Sequence, residues 1–330
     1  MKKLISIALV LVLIFGLTGC GAGEKSKENT ITIVLDWTPN TNHTGIYVAL
    51  EKGYFEEVGL NVEVIQPPEG GAEALVASGK AQFGVSCQDS LAPAFVGDTK
   101  LPVTAVAAIL QHNTSGIISR AGEGMDTPKG LESKKYATWD LPVEKATIRD
   151  VMEAESGNFE LVELIPSTVT DEVSALQSKS VDAIWIYYGW AGVACQVAGL
   201  ETDYFAFADI NPVFDFYTPV IIGNNTWLEK NRETAKAFLE ALSKGYTDAV
   251  ENPKEAADIL MNAVPELKSN SELIYVSQEY LAKEYIADAT NWGEFDAERW
   301  AAFYNWLNEN DLLEEKIEPD YGFTNEYLYE

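Results

Sequence analysis

The chain has 330 residues, 51 of them acidic and 23 basic, a formal balance of 23 − 51 = −28. Such an excess of carboxylates repels phosphate backbones, and the sequence shows no basic patch to offset it, which argues against nucleic acid as a partner. Three cysteines, Cys20, Cys87 and Cys195, without CxxC spacing, give no metal or redox motif; whether Cys87 and Cys195 pair stays open.

Lys2 and Lys3 precede an apolar run from Leu4 to Leu17, which closes on Leu17-Thr18-Gly19-Cys20. The run is shorter than the roughly 20 residues that a spanning helix needs. A cysteine directly after small residues resembles the lipobox of bacterial lipoproteins. The expectation is a signal over residues 1–19, lipid on Cys20 and a small, polar tether over residues 20–30; an ordinary secretory signal with an incidental Cys20 is the alternative. About 300 residues then remain, enough for two domains or one bilobed one.

Strand-like and helix-like runs alternate from there. Ile31–Leu35 reads as a strand, residues 42–52 as a helix, Asn61–Ile65 as a strand and residues 71–78 as a helix; strands follow at Phe83–Ser86 and Val103–Leu110. A second series repeats the unit: Lys135–Thr138, a helix over 143–155, Phe159–Leu164, a helix over 170–178 and Ala183–Tyr188. Residues 120–134, "RAGEGMDTPKGLESK", have the glycines, proline and charges of a crossing between lobes. Beyond a strand-like Tyr217–Gly223 the pattern turns helical over 227–246, 253–263, 271–286 and 296–308. Trp292, Trp300 and Trp306 recur there at helical spacing, which assigns them to packing. The alternation predicts an α/β fold with a largely parallel sheet, in two lobes: residues 31–118 with 217–330, and residues 119–216. Ligands bind such sheets beyond the carboxyl ends of the strands, so the cleft between lobes is the expected site.

Five stretches carry a family resemblance: "LDWTPNTNHTGIYVALEKGYF" from Leu35, "ALVASGKAQFGVS" from Ala74, "VDAIWIYYGW" from Val181, "FYTPVIIG" from Phe216 and "FTNEYL" from Phe323. Together they resemble the NMT1/THI5-like substrate-binding proteins over almost all of residues 31–330. The long run from Asp36 to Gly45 is the most specific part. The resemblance implies a periplasmic-binding-protein-like fold of type II, similar to that of the sulfonate-binding proteins. It also implies an extracytoplasmic, monomeric component of an ABC importer for pyrimidine precursors of thiamine, working with a permease and held at the membrane through Cys20. The family includes an enzyme branch, the yeast-type pyrimidine synthases, which consume a bound pyridoxal phosphate and a histidine of their own chain. That histidine follows the S-G-K-x-x-x-G segment; here the stretch is "VSCQDSLAPA", which has none. The expectation is therefore a binder that needs no cofactor, not a synthase.

The residues at the strand ends suit a flat heteroaromatic ring. Trp37 from one lobe and Tyr187, Tyr188 and Trp190 from the other would stack on its faces. Asn40 and Asn42 present a carbonyl and an amide that match an aminopyrimidine edge, and Asp36 would accept from its amine. Asn42 or Thr41 capping the helix, and Asp36 bracing its own turn, are the competing structural roles. His43 is a ligand candidate against a bond within its own lobe. Gln88 and Trp139 are further strand-end candidates, with Ser86, Gln111 and His112 behind them, while Trp185 reads as core. The turn at Trp139-Asp140 lacks the glycines the family would lead one to expect, which leaves a different ring open. A riboflavin-like heteroaromatic or a sulfonate are the alternatives, although a sulfonate would want basic groups and the cleft segments hold no arginine. The H-E-x-x-H, G-x-S-x-G and phosphate-cradling glycine motifs are absent from the sequence.

Overall fold

A computed structural model of the protein describes residues 30–98 and 100–329. The expected signal, Cys20 and the tether up to residue 29 lie outside the described residues. Among those described, no helix is long and apolar enough to cross a membrane.

Among the described residues, ten strands form two sheets. The first holds β1 (Thr30–Val34), β2 (Asn61–Ile65), β3 (Phe83–Ser86), β4 (Val103–Ala108) and β10 (Val220–Asn224) in the order β2-β1-β3-β10-β4. The second holds β5 (Ser115–Arg120), β6 (Lys135–Thr138), β7 (Glu163–Pro166), β8 (Ala183–Tyr187) and β9 (Thr202–Ala206) in the order β7-β6-β8-β5-β9. The plan is the same in both. Three parallel strands are followed by one antiparallel strand, β10 or β5, which also pairs with the outermost strand. Each antiparallel strand is the first one the chain forms after passing from one sheet to the other. The sheets are thus mixed, and the expectation of a largely parallel sheet holds only for the three-stranded half of each.

The chain crosses between the sheets at residues 109–114 and 207–219. The segment 120–134 is not a crossing: it connects β5 to β6 inside the second sheet. Its glycines and charges serve a turn just as well, so composition alone could not distinguish the two. The expected lobe division at residue 118 falls within β5, all of whose residues from Ser115 to Arg120 belong to the second sheet.

Behind the first sheet lie the helix Thr44–Glu51 and the long helix Arg232–Glu251, in very close contact. A Cβ on Gly45 would stand 2.3 Å from the Tyr246 ring, and one on Gly245 would stand 2.2 Å from the Gly45 carbonyl oxygen. Only glycine at both positions lets the backbones approach so far. The region expected as one helix over 227–246 is two, Asn225–Lys230 and Arg232–Glu251. Trp292, Trp300 and Trp306 are buried, as their spacing predicts. The closing "FTNEYL" stretch lies along β4, with a bridge between Phe323 and Ala105. Cys87 and Cys195 are both free thiols.

Candidate functional site

The turn after β1 is hydrogen-bonded mainly to itself. Asn40 stands in extended backbone before a short 3-10 turn, Thr41–His43, and caps it: its Oδ1 accepts from the Asn42 backbone N–H at 2.9 Å, and its Nδ2 donates to the Thr38 carbonyl at 3.0 Å. The cap expected at Thr41 or Asn42 is therefore Asn40, one or two residues earlier. His43 is wholly buried. Its Nδ1 accepts from the Asn40 backbone N–H at 3.1 Å, which places the ring proton on Nε2, where it is donated to Asp36 Oδ1 at 2.7 Å. Burial opposes ionisation of Asp36. The bond from His43 and the N–H groups of Asp36 and Trp37 together outweigh burial and hold the carboxyl below its usual range.

Hydrogen-bonded so firmly, the turn projects Trp37 outward, 51% exposed, and leaves the Asn42 side chain without a hydrogen bond among the described residues. The same turn is braced from behind. Tyr285 Oη donates to the Thr41 carbonyl at 2.5 Å, and Tyr246 Oη donates to the Asn42 carbonyl at 2.8 Å.

The facing wall comes from the second sheet and is mostly aromatic. Trp185 and Tyr187 lie two residues apart on β8 and so share one of its faces. The chain then forms one turn of π-helix, Tyr188–Gly192, which carries Trp190. Trp139 follows β6, 40% exposed, with its ring centroid 5.8 Å from that of Trp185. Its position is set by the buried carboxylate of Glu144, which accepts from Tyr136 Oη at 2.6 Å, Thr138 Oγ1 at 3.0 Å, Trp139 N at 3.1 Å and Leu141 N at 3.2 Å. Where glycine was expected stands Asp140, with φ of 65°, in the left-handed region that aspartate tolerates better than most residues.

Between the two walls lies a cavity of about 240 Å³, room for a single-ring ligand. Asp36, Trp37, Asn40 and Asn42 line it from one side, and Trp139, Trp185, Tyr187 and Trp190 from the other. A wider groove of about 700 Å³ shares Trp37, Glu172 and Trp190 with the cavity.

Three expected residues do not line the cavity. His43 is spent on Asp36 and the backbone of its own turn. Gln88 is buried below, where its Nε2 donates to the Trp300 carbonyl at 2.8 Å and its Oε1 accepts from Tyr217 N at 3.0 Å. Tyr188, turned away where β8 gives place to the π-helix, packs on Tyr204 and Tyr280, with centroids 4.8 and 5.2 Å away. Of the weaker candidates, Ser86 donates to Glu73 and Gln111 to the Glu294 carbonyl, while His112 bridges Asp215 and Asp288 at the crossing.

Cys87, Glu172, Thr218 and Pro219 line the cavity without having been expected there. Cys87 follows β3, so the strand-end rule already pointed to it. Thr218 and Pro219 precede β10, whose start pairs with the end of β3 because the two run antiparallel. Burial pushes the Cys87 thiol and the Tyr187 phenol well above their usual ranges, so both stay protonated. Nearby Asp89 is pushed by burial up to about 6, and its Oδ1 has no partner among the described residues. The charged residues lining the cavity, Asp36 and Glu172, are both acidic.

Comparison with known proteins bears on the fold and the family. The model of the family described as NMT1/THI5 like matches residues 40–256. The formylaminopyrimidine-binding protein of Halalkalibacterium halodurans is 30% identical over 338 aligned residues, covering 98% of this chain and 99% of that protein. The 4-amino-5-hydroxymethyl-2-methylpyrimidine phosphate synthase THI13 of Saccharomyces cerevisiae is 24% identical, over 92% of this chain and 88% of its own. Among solved structures, the periplasmic aliphatic sulphonate binding protein SsuA of Escherichia coli superposes with a TM-score of 0.68 at 14% identity, over 92% of each chain. That likeness extends to the whole two-sheet architecture, and the family match includes the cavity-lining segments from Asn40 through Pro219. The chain belongs to the NMT1/THI5-like family.

Proposed function

We propose that this protein is the extracytoplasmic solute-binding component of an ABC importer and that it captures a thiamine-precursor aminopyrimidine in the cavity between its sheets. The observation that carries the reading is the pair of aromatic walls. Trp37 stands on one side and Trp139, Trp185, Tyr187 and Trp190 on the other, around a space for one ring. Stacking on such faces contributes on the order of 1–3 kcal/mol per ring contact. The Asn42 amide, free of other bonds, offers a donor and an acceptor to the edge of the ring. Asp36, kept ionised, adds a second acceptor.

Binding without chemistry is supported by the placement of both histidines in the chain. His43 is enclosed behind the turn and His112 lies at the crossing, so neither is at the cavity to be consumed as the synthases consume theirs. The size of the cavity favours one ring over a riboflavin-like ligand, and its acidic lining disfavours a sulfonate. The full reading includes a monomer anchored by lipid on Cys20 to the outer face of the cell membrane. Its two lobes, one built on each sheet, would close on the ligand by hinge motion and present the closed form to a permease.

Native mass spectrometry of protein purified from cells, followed by calorimetric titration with 4-amino-5-hydroxymethyl-2-methylpyrimidine, tests the reading. A retained aminopyrimidine mass or one-to-one binding of the probe is expected. A retained sulfonate, together with no binding of any aminopyrimidine, would overturn it.

A further inference from the structure

Two adjacent carboxylates open the helix Glu172–Gln177, and they are used differently. Asp171 caps the helix: its Oδ1 accepts from Ser174 N at 2.9 Å and its Oδ2 from Ser174 Oγ at 2.6 Å. Glu172 lines both the cavity and the adjoining groove. Among the described residues the only donor reaching its carboxylate is its own backbone N–H. Burial pushes its pKa up, Asp171 adds to the rise, and that N–H does not cancel it. A half-buried carboxylate with a single donor is short of partners, and a ligand that supplies an N–H adds one.

Asp36, the other charged residue of the lining, is already held by His43 and by two backbone N–H groups. Glu172 therefore has the greater capacity left to accept. The groove outside carries Asp171, Glu172 and Glu272 and is lined by no lysine or arginine. A ligand approaching through it meets negative charge at the mouth and again at the wall.

Building on the function proposed above, we infer that Glu172 is the specificity-determining acceptor of the site, reading the exocyclic amine of the ring and, with the acidic groove, rejecting rings that carry a phosphate. An amino group donates to a carboxylate; an oxo group at the same position turns an acceptor toward it and loses the bond. A phosphate ester would bring its own negative charge against Glu172 and Asp36 with no cation in the lining to balance it. The substrate class is thus the unphosphorylated aminopyrimidine, captured before any kinase acts on it.

The test uses three probes: 4-amino-5-hydroxymethyl-2-methylpyrimidine, its 4-oxo analogue and its phosphate ester, titrated into the wild type, Glu172→Gln and Glu172→Asp. The wild type should prefer the amino to the oxo ring by about tenfold or more, the scale of one charge-assisted hydrogen bond. Glutamine can donate as well as accept, so Glu172→Gln should bring the two rings to within about threefold and narrow the penalty on the phosphate ester. Glu172→Asp should restore part of the preference, which a merely structural role would not predict. Melting temperatures of the free proteins should match, because Asp171 keeps the helix cap. If the wild type binds the aminopyrimidine and Glu172→Gln keeps the same amino-over-oxo ratio, the role of Glu172 is refuted while the proposed function stands. If the wild type binds none of the three probes, the role of Glu172 is refuted, and the proposed function falls with it when no aminopyrimidine mass is retained on the purified protein either.

Discussion

The two wall-bearing turns solve the same problem by opposite means. The first, residues 36–43, fixes polar groups through its own hydrogen bonds: Asn40 to Thr38 and Asn42, and His43 to Asn40 and Asp36. The second, residues 187–192 with Trp139, relies on packed rings and on the single buried carboxylate of Glu144. Both lean on one helix, Ser271–Glu284: Ser277 Oγ lies 2.6 Å from Thr41 Oγ1 and also donates to the Gly189 carbonyl. The difference teaches a division of labour. The polar turn holds acceptors and donors in place before the ligand arrives, which removes the ordering cost from binding. On the proposed function, the aromatic wall would supply contact area that tolerates small shifts of the ring.

The largest effect expected from this contrast is on stability. Glu144→Ala leaves two hydroxyls and two backbone N–H groups without their acceptor in a buried place, so it should cost about 3–5 kcal/mol in urea unfolding. It should also loosen Trp139. A loss below about 1 kcal/mol would mean that the aromatic wall does not depend on this carboxylate.

Trp37→Ala should act in the opposite way. Its side chain is largely exposed, so the free protein should melt at nearly the wild-type temperature, while affinity for the aminopyrimidine falls by roughly 1–3 kcal/mol. A large drop in melting temperature with intact affinity would place Trp37 in the core.

Smaller still is an effect at the crossing, away from both turns. His112 Nδ1 lies 2.8 Å from Asp215 and its Nε2 3.0 Å from Asp288; Arg299 and Glu284 are the other charges nearby. The bond to Asp215 is the chief cause that raises the imidazole pKa above its ordinary value of 6.5, against burial and Arg299. A raised folded value means a contribution fully present below pH 6.5 and lost as pH rises through the folded pKa above it. Melting temperatures should show that decline in the wild type and a flatter profile in His112→Gln. Identical profiles would remove His112 from the account of the crossing.

Much of this was legible in the sequence because it is written in local patterns. Asn61–Ile65 alternates polar and apolar residues, Phe83–Ser86 is a short, mostly apolar run and Lys135–Thr138 a short mixed one, and the strands form over those residues. The strand β5 was missed because "SGIISR" is flanked by polar residues and carries no alternation, being buried on both faces. The helix Gln88–Ala94 was hidden by Pro93, which reads as a breaker but sits in the last turn. Among the residues lining the cavity, Trp37, Asn42, Trp139 and Trp190 stand just beyond strands, where the sequence places them. Trp185 is buried in the core, as read, and also lines the cavity, a position its spacing of two from Tyr187 signals. Tyr188 was misplaced because the change from strand to π-helix rotates it away, and no local pattern announces that change. Glu172 became visible only when the fold placed it on the same cavity as the first lobe's turn.

The central claim is that one ligand touches walls from both lobes, and a double-mutant cycle tests it most directly. Trp37 and Trp190 are far apart in sequence and come from different sheets, yet both line the cavity. Calorimetric titration of 4-amino-5-hydroxymethyl-2-methylpyrimidine into the wild type, Trp37→Ala, Trp190→Ala and the double variant gives the coupling. The account predicts that each single variant binds more weakly and that the cycle shows a coupling of about 0.5 kcal/mol or more. Strict additivity, or full affinity in either single variant, would contradict it.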